Sequence, residues 1–246
     1  MDTEISFEHF VTLYALMQKC EKLDELYFGP LSTLGNPFSP DYEFGKDLIK
    51  NLINANIIKP KQPKYHSYTT LTKAGVEPTY EMVNWVILQD DINLLLCELI
   101  NSGDFSDRMM EWGGQVDNLK RKLARAECKE FYEYSLNVRN LTYEFNGHSE
   151  TLISNLLNDY SVSQCYQIFW VSAKYTVDFK ARNPKIYRNV ISVMNDACMR
   201  YSNRVKQYSW QIKGFERNVN IPRSMINYVL YEIILMQGDS GFTDKV

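Results

Sequence analysis

Residues suited to catalysis are scarce in this chain or badly spaced. Five cysteines stand at Cys20, Cys97, Cys128, Cys165 and Cys198. Their number is odd, none lies within 30 residues of another, and there is no CxxC pair. This excludes a disulfide scaffold and a cysteine-rich zinc module, and it reads as reduced thiols in the cytoplasm. The three histidines, His9, His66 and His148, are equally scattered, so no metal site is expected. The eleven glycines form no Walker loop and no GxGxxG, and GxSxG and HExxH are also missing. No cofactor is implied. No reaction is fixed either, so a non-enzyme is the working expectation and the question of catalysis stays open. Apolar runs such as Val83–Leu88 and Leu94–Cys97 are far too short to span a bilayer, and no membrane partner is expected. Met1-Asp2-Thr3-Glu4 does not open like a secretory signal.

The chain does have a globular composition, 45% hydrophobic and 23% charged, and a segregated charge. Its formal net charge of −3 is small. Residues 1–45 set two basic groups against eight acids, and residues 46–73 set six lysines against Asp47. Residues 74–118 set Arg108 against nine acids, whereas residues 119–246 are net basic. A charged partner responds to such local blocks rather than to the total.

Apolar periodicity predicts a first helix over 5–28, closed by Gly29-Pro30, followed by a Gly/Pro-rich loop over 29–42. A second helix is expected from about Glu43 to Asn56, on the stripe Phe44, Leu48, Ile49, Leu52 and Ile53. Ile57-Ile58-Lys59-Pro60 then leaves in an extended form, and Tyr65–Leu71 has the Tyr/Thr content of a strand. From about Thr79 onward the pattern is helical: 79–101, then 115–145, then a short helix capped by Ser149. A helix with a Ser161/Gln164 capping box follows, then one opened by Asn183-Pro184 and running to about Tyr208. The last runs from Ile221-Pro222 to Gly238. The expected architecture is mainly α, with a winged-helix-like N-terminal region of few short β-strands over 1–78 and an all-helical domain over 79–246.

Residues 46–77 read KDLIKNLINANIIKPKQPKYHSYTTLTKAGVE. This stretch resembles the end of a winged-helix domain, where a recognition helix leads into "GLI", a basic wing and "LT-x-x-G". Asn56 stands where glycine is common, and asparagine also tolerates the left-handed conformation. The resemblance implies a helix lying in a major groove with wing lysines on phosphates. Its candidate contacts are Lys46, Lys50, Lys59, Lys61 and Lys64, with Asn51 and Asn54 placed to read adenine edges. The loop 29–42 occupies the position of the preceding helix, and the candidate recognition helix has no arginine. A winged helix that packs only on protein remains the other reading.

Two further segments bear on function. Residues 174–223 hold eleven basic groups against three acids, interleaved with Tyr175, Phe179, Tyr187, Tyr201, Tyr208, Trp210 and Phe215. That mixture suits a nucleic-acid backbone with stacked bases, and it equally suits aromatics in a core with cations outside. On a helix, Arg200 and Arg204 share a face at i and i+4 and join the candidate contacts. The acids Asp90, Asp91 and Glu98 suit solvated helix surface or a docking face for a basic protein. Asp90 and Asp91 point about 100° apart on a helix and cannot jointly hold a metal. The functional expectation is therefore a nucleic-acid-binding protein, such as a regulator or a mobile-element or bacterial defence accessory. The alternative is an immunity or antitoxin-type protein that neutralises a basic partner through its acidic face.

Overall fold

The computed structural model describes residues 5–23, 26–31, 35–61, 69–72, 75–78, 83–183 and 189–246. It is mainly α with a few short strands. The chain divides into two compact units. The first comprises Met1–Leu119 with Arg223–Met236, and the second Lys120–Pro222 with Gln237–Val246. This is not the boundary expected at 78/79. A strand over Asn84–Ile87 pairs with two earlier strands, so the polypeptide on either side of residue 78 belongs to one sheet.

In the first unit α1 spans Phe7–Lys19, and the Ser6 side chain caps it by accepting from the His9 amide. The helix stops earlier than expected. Cys20 turns to extended backbone and opens β1 (Cys20–Lys22), which pairs with β2 (Tyr27–Leu31). Gly29-Pro30, expected to terminate the helix, lies inside β2. Helix α2 (Tyr42–Asn54) begins at Asp41, whose carboxylate accepts from the Phe44 amide. It leads through Asn56, at φ 54°, into β3 (Ile58–Lys61). The left-handed turn anticipated at Asn56 is therefore present.

Among the described residues, strand β3 does not pair with the Tyr/Thr segment. Thr69–Thr72 (β4) instead forms a separate two-stranded sheet with Gly75–Pro78 (β5), and residues 65–68 lie outside the described set. The partner of β3 is β6 (Asn84–Ile87), part of a stretch expected to be helical. Its β-branched and aromatic run, Asn84-Trp85-Val86-Ile87, is short and is buried except for Asn84, and periodicity does not separate such a run from a buried helix. The resulting antiparallel order is β1-β2-β6-β3. One sheet face holds Phe28, Ile58, Trp85 and Ile87, all buried. Beyond it come α3 (Asp90–Ser102) and α4 (Ser106–Trp112). The Trp112 indole packs in tilted contact at 5.0 Å from both Phe7 and Phe10 and donates to the Ile5 carbonyl at 3.0 Å. Helix α9 (Met225–Asn227) returns to this unit, its Met225 and Ile226 amides donating to Pro37 and Phe38 carbonyls. It starts later than the expected Ile221-Pro222 and widens into a π-helical stretch, Tyr228–Ile234.

The second unit is a helical bundle. It takes the later part of α5 (Gly114–Asn137) together with α6 (Gly147–Leu157), α7 (Val162–Arg182), α8 (Val190–Gln207) and the short α10 (Ser240–Thr243). Helix α5 ends at Asn137 rather than 145. Asn146, rather than Ser149, caps α6. The Ser161/Gln164 capping box opens α7 as expected. Asn183 closes α7 instead of opening the next helix, which Asn189 caps. The core is aromatic: Phe131 stacks on Tyr166 at 3.8 Å, and Tyr132 meets Phe169 edge-on at 5.4 Å. Cys128, Cys165 and Cys198 are fully buried here. Burial pushes the Cys198 thiol up to about 12, so it behaves as a small apolar side chain.

Candidate nucleic-acid interface

Strand alternation decides which side chains of the ribbon face water. The register pairs Lys59 with Val86 and Lys61 with Asn84. Ile58 and Ile87 therefore turn to the core and Lys59 and Lys61 to the outer face. Both lysines are exposed. The Lys61 ammonium sits 3.8 Å over the ring of Tyr27, whose strand also borders β6. Among the described residues, no carboxylate pairs with Lys50, Lys59 or Lys61.

Helix α2 is less available than its sequence suggests. Lys46 is engaged with Glu43 at 2.8 Å and lies over the Tyr42 ring. Asn51 donates to the Glu8 carboxylate at 2.9 Å and so ties α2 to α1. Its amide is turned away from the role of reading adenine. Asp47 is exposed on the same helix and opposes phosphate. Asn54 is exposed and Lys50 half-buried. Lys64 lies outside the described residues. The candidates left available are thus Lys50 and Asn54 on α2 and Lys59 and Lys61 along β3.

The remaining candidates fall elsewhere. Arg200 and Arg204 are exposed on α8 of the second unit, and the Arg200 guanidinium lies 4.9 Å over the Tyr175 ring on α7. Asp90 and Asp91 form the first turn of α3, where carboxylates favour the helix dipole. Glu98 lies two turns on from Asp91 along one face, with Leu94, 61% exposed, between them. Among the described residues, no group of three His, Cys, Asp or Glu is arranged to hold a metal. No described helix is long and apolar enough to cross a membrane.

Sequence reasoning missed two clusters in the second unit. One is a half-buried network around Arg217. Its guanidinium makes a bidentate pair with Asp239 at 2.8–2.9 Å, donates to Glu127 at 3.1 Å and covers the Phe242 ring. Burial disfavours the charge, but Glu127 and Asp239 outweigh it and hold the guanidinium above the usual arginine range. The partners lie 90 and 22 residues away, and no local pattern announces them. The other cluster is the stacked pair Tyr208 and Trp210, at 5.4 Å and 23°. Its residues stood in the aromatic–basic mixture of 174–223, but composition does not say which aromatics reach water. In comparison with known proteins, no family model, curated protein or solved structure matches the chain.

Proposed function

We propose that the chain is a nucleic-acid-binding protein without catalytic chemistry of its own, and that the β3–β6 ribbon supplies phosphate contacts beside α2. The observation behind this reading is the outward pair Lys59 and Lys61, two cations on one exposed strand face. The winged-helix likeness supports it too, because α2 runs through a tight left-handed exit into a strand that returns antiparallel through β6. The lysines position a duplex and carry no sequence information. With Asn51 bonded to Glu8 and Lys46 to Glu43, base reading by α2 is a small part of the reading. A regulator or a mobile-element or defence accessory protein fits such a role. Fluorescence anisotropy with a labelled duplex is the test. Binding is expected to weaken with salt, and Lys59→Glu with Lys61→Glu lowers the log–log slope by about 2, at roughly 0.9 for each phosphate no longer neutralised. A duplex bound equally well by that double variant removes the ribbon from the interface.

The acidic α3 face supports a second reading, a dock for a basic protein. An exposed Leu94 flanked by Asp91 and Glu98 has the apolar centre and charged rim of a partner surface. Charge reversal at Asp91 and Glu98 abolishes such a complex. A complex that survives the reversal excludes this face.

A further inference from the structure

The second unit carries a surface that the ribbon does not explain. Arg200 and Arg204 on one side of α8, and Tyr208 at its C-terminal cap, follow at four-residue intervals, a row about 12 Å long at 1.5 Å per residue. All three are exposed. At one end the Arg200 guanidinium lies over Tyr175 of α7, itself 44% exposed; Lys174, one residue back and about 100° around the helix, is also exposed. At the other end Tyr208 stacks on Trp210, and the two rings stay 57% and 52% exposed. Among the described residues of this unit, most other large aromatics lie in or against the core, so rings left this far in water stand out.

The aromatic end is tied to the bundle by hydrogen bonds. The Trp210 amide donates to the Val205 carbonyl at 2.9 Å. The Ile212 carbonyl accepts from the Gln164 side chain at 3.2 Å, and the Phe215 amide donates to the Ser163 carbonyl at 2.9 Å. Gly214 permits this approach: a Cβ there would lie 2.3 Å from the Ser163 hydroxyl. From Trp210 the chain runs directly into the wall of an open groove of about 710 Å³, lined by Gln167, Tyr201, Gln211, Lys213 and Phe215 among others. The groove pairs amide side chains with aromatic ones, a mixture that both hydrogen-bonds and stacks.

We infer that this face of α7 and α8 binds single-stranded nucleic acid, with the Tyr208–Trp210 pair stacking bases and Arg200, Arg204 and Lys174 following the backbone. Charge complementarity selects the occupant. The exposed cations Lys174, Arg200, Arg204 and Lys213 outnumber the carboxylates Asp178, Asp196 and Glu216, the last of them on the groove wall, while Lys206 is held by Asp159 at 2.6 Å. A duplex hides its base faces inside the stack, whereas a single strand presents them to exposed rings. The surface is independent of the β3 lysines and stands if the ribbon reading fails.

The experiment uses the full chain with oligo-dT and oligo-U of about twenty nucleotides, long enough for one site of the usual size. Binding is followed by anisotropy and by tryptophan emission. Trp85 and Trp112 are buried and Trp170 is half-buried, so quenching by a stacked base reports chiefly on Trp210. Binding is expected to have a salt slope of about −2, from three contacts at roughly 0.7 each. Tyr208→Ala with Trp210→Ala is expected to weaken it about tenfold. Trp210→Phe keeps a ring, so it retains affinity and loses the quenching. Lys59→Glu with Lys61→Glu leaves both signals in place. Stronger binding of oligo-dT or of oligo-U names DNA or RNA as the strand held. The inference is overturned if neither oligonucleotide binds in low salt, which leaves a protein partner for the face. It is equally overturned if the aromatic double variant binds like the parent chain, or if the lysine variant abolishes the quenching.

Discussion

Arg217→Met removes the centre of a half-buried polar network in the second unit, and the structure sets the size of the effect. Four hydrogen bonds go, three to Asp239 and one to Glu127. The Glu127 side chain is 3% exposed and that of Asp239 39%. Asp239 recovers water when the arginine leaves, and Glu127 does not. Breaking a buried pair while its partner stays charged costs about 3–5 kcal/mol, and the partial exposure of Asp239 puts this case near ~3 kcal/mol. A molecule of two compact units need not unfold in one step, so the assay must be local. Hydrogen exchange of the α5 and α7 core amides, those that open only with the whole unit, is expected to speed up about a hundredfold at ~1.4 kcal/mol per decade. Glu127→Gln in the methionine background removes the buried charge that has lost its arginine and returns much of the loss, a coupling of about 1–2 kcal/mol. Exchange accelerated less than about fivefold, under ~1 kcal/mol, would refute the claim that this network holds the C-terminal segment to the bundle. So would a double variant whose cost equals the sum of the single ones.

Two further outcomes follow from local geometry. Gly45 sits inside α2, where alanine is normally better by about 1 kcal/mol, yet a Cβ there would lie 2.3 Å from the Ser39 hydroxyl. That hydroxyl donates to the carbonyl of the capping residue Asp41. Gly45→Ala therefore lowers the urea midpoint, and in a Ser39→Gly background the same change raises it; the reverse order would show that the contact is harmless. Burial lowers the affinity of His9 for its proton, with Glu8 opposing in part. The unfolded chain then binds the proton more readily than the fold, so this contribution to stability is complete above pH 6.5 and is lost as pH falls below it. Urea midpoints at pH 7.5 and pH 5, compared with those of His9→Gln, are expected to converge at the lower pH; parallel profiles would exclude this source of acid sensitivity.

Local signals were legible where the determinant is a neighbour in the chain. The helical character, the Ser161/Gln164 capping box, the extended Ile57–Pro60 exit and the left-handed Asn56 each depend on residues a few positions apart. The return strand was not legible. Asn84-Trp85-Val86-Ile87 is one short, mostly buried run, and only pairing with Tyr27–Phe28 and Ile58–Lys61 makes it a strand. The same limit affected the candidate contacts. Lys59 and Lys61 followed from the winged-helix resemblance, but the loss of Asn51 to Glu8 spans 43 residues. Which aromatics of 174–223 reach water was decided by packing, which half-buries Phe215 and leaves Trp210 outside.

By itself the order of residues determined the mainly helical class, the segregation of charge, and several caps and turns, because hydrogen bonds and steric limits between near neighbours settle these. Only the tertiary structure decided which strand closes the ribbon, which cations stay in water, and that Arg217 joins segments 90 and 22 residues away. Burial and pairing across such distances are properties of the packed chain, and no short window of sequence contains both partners.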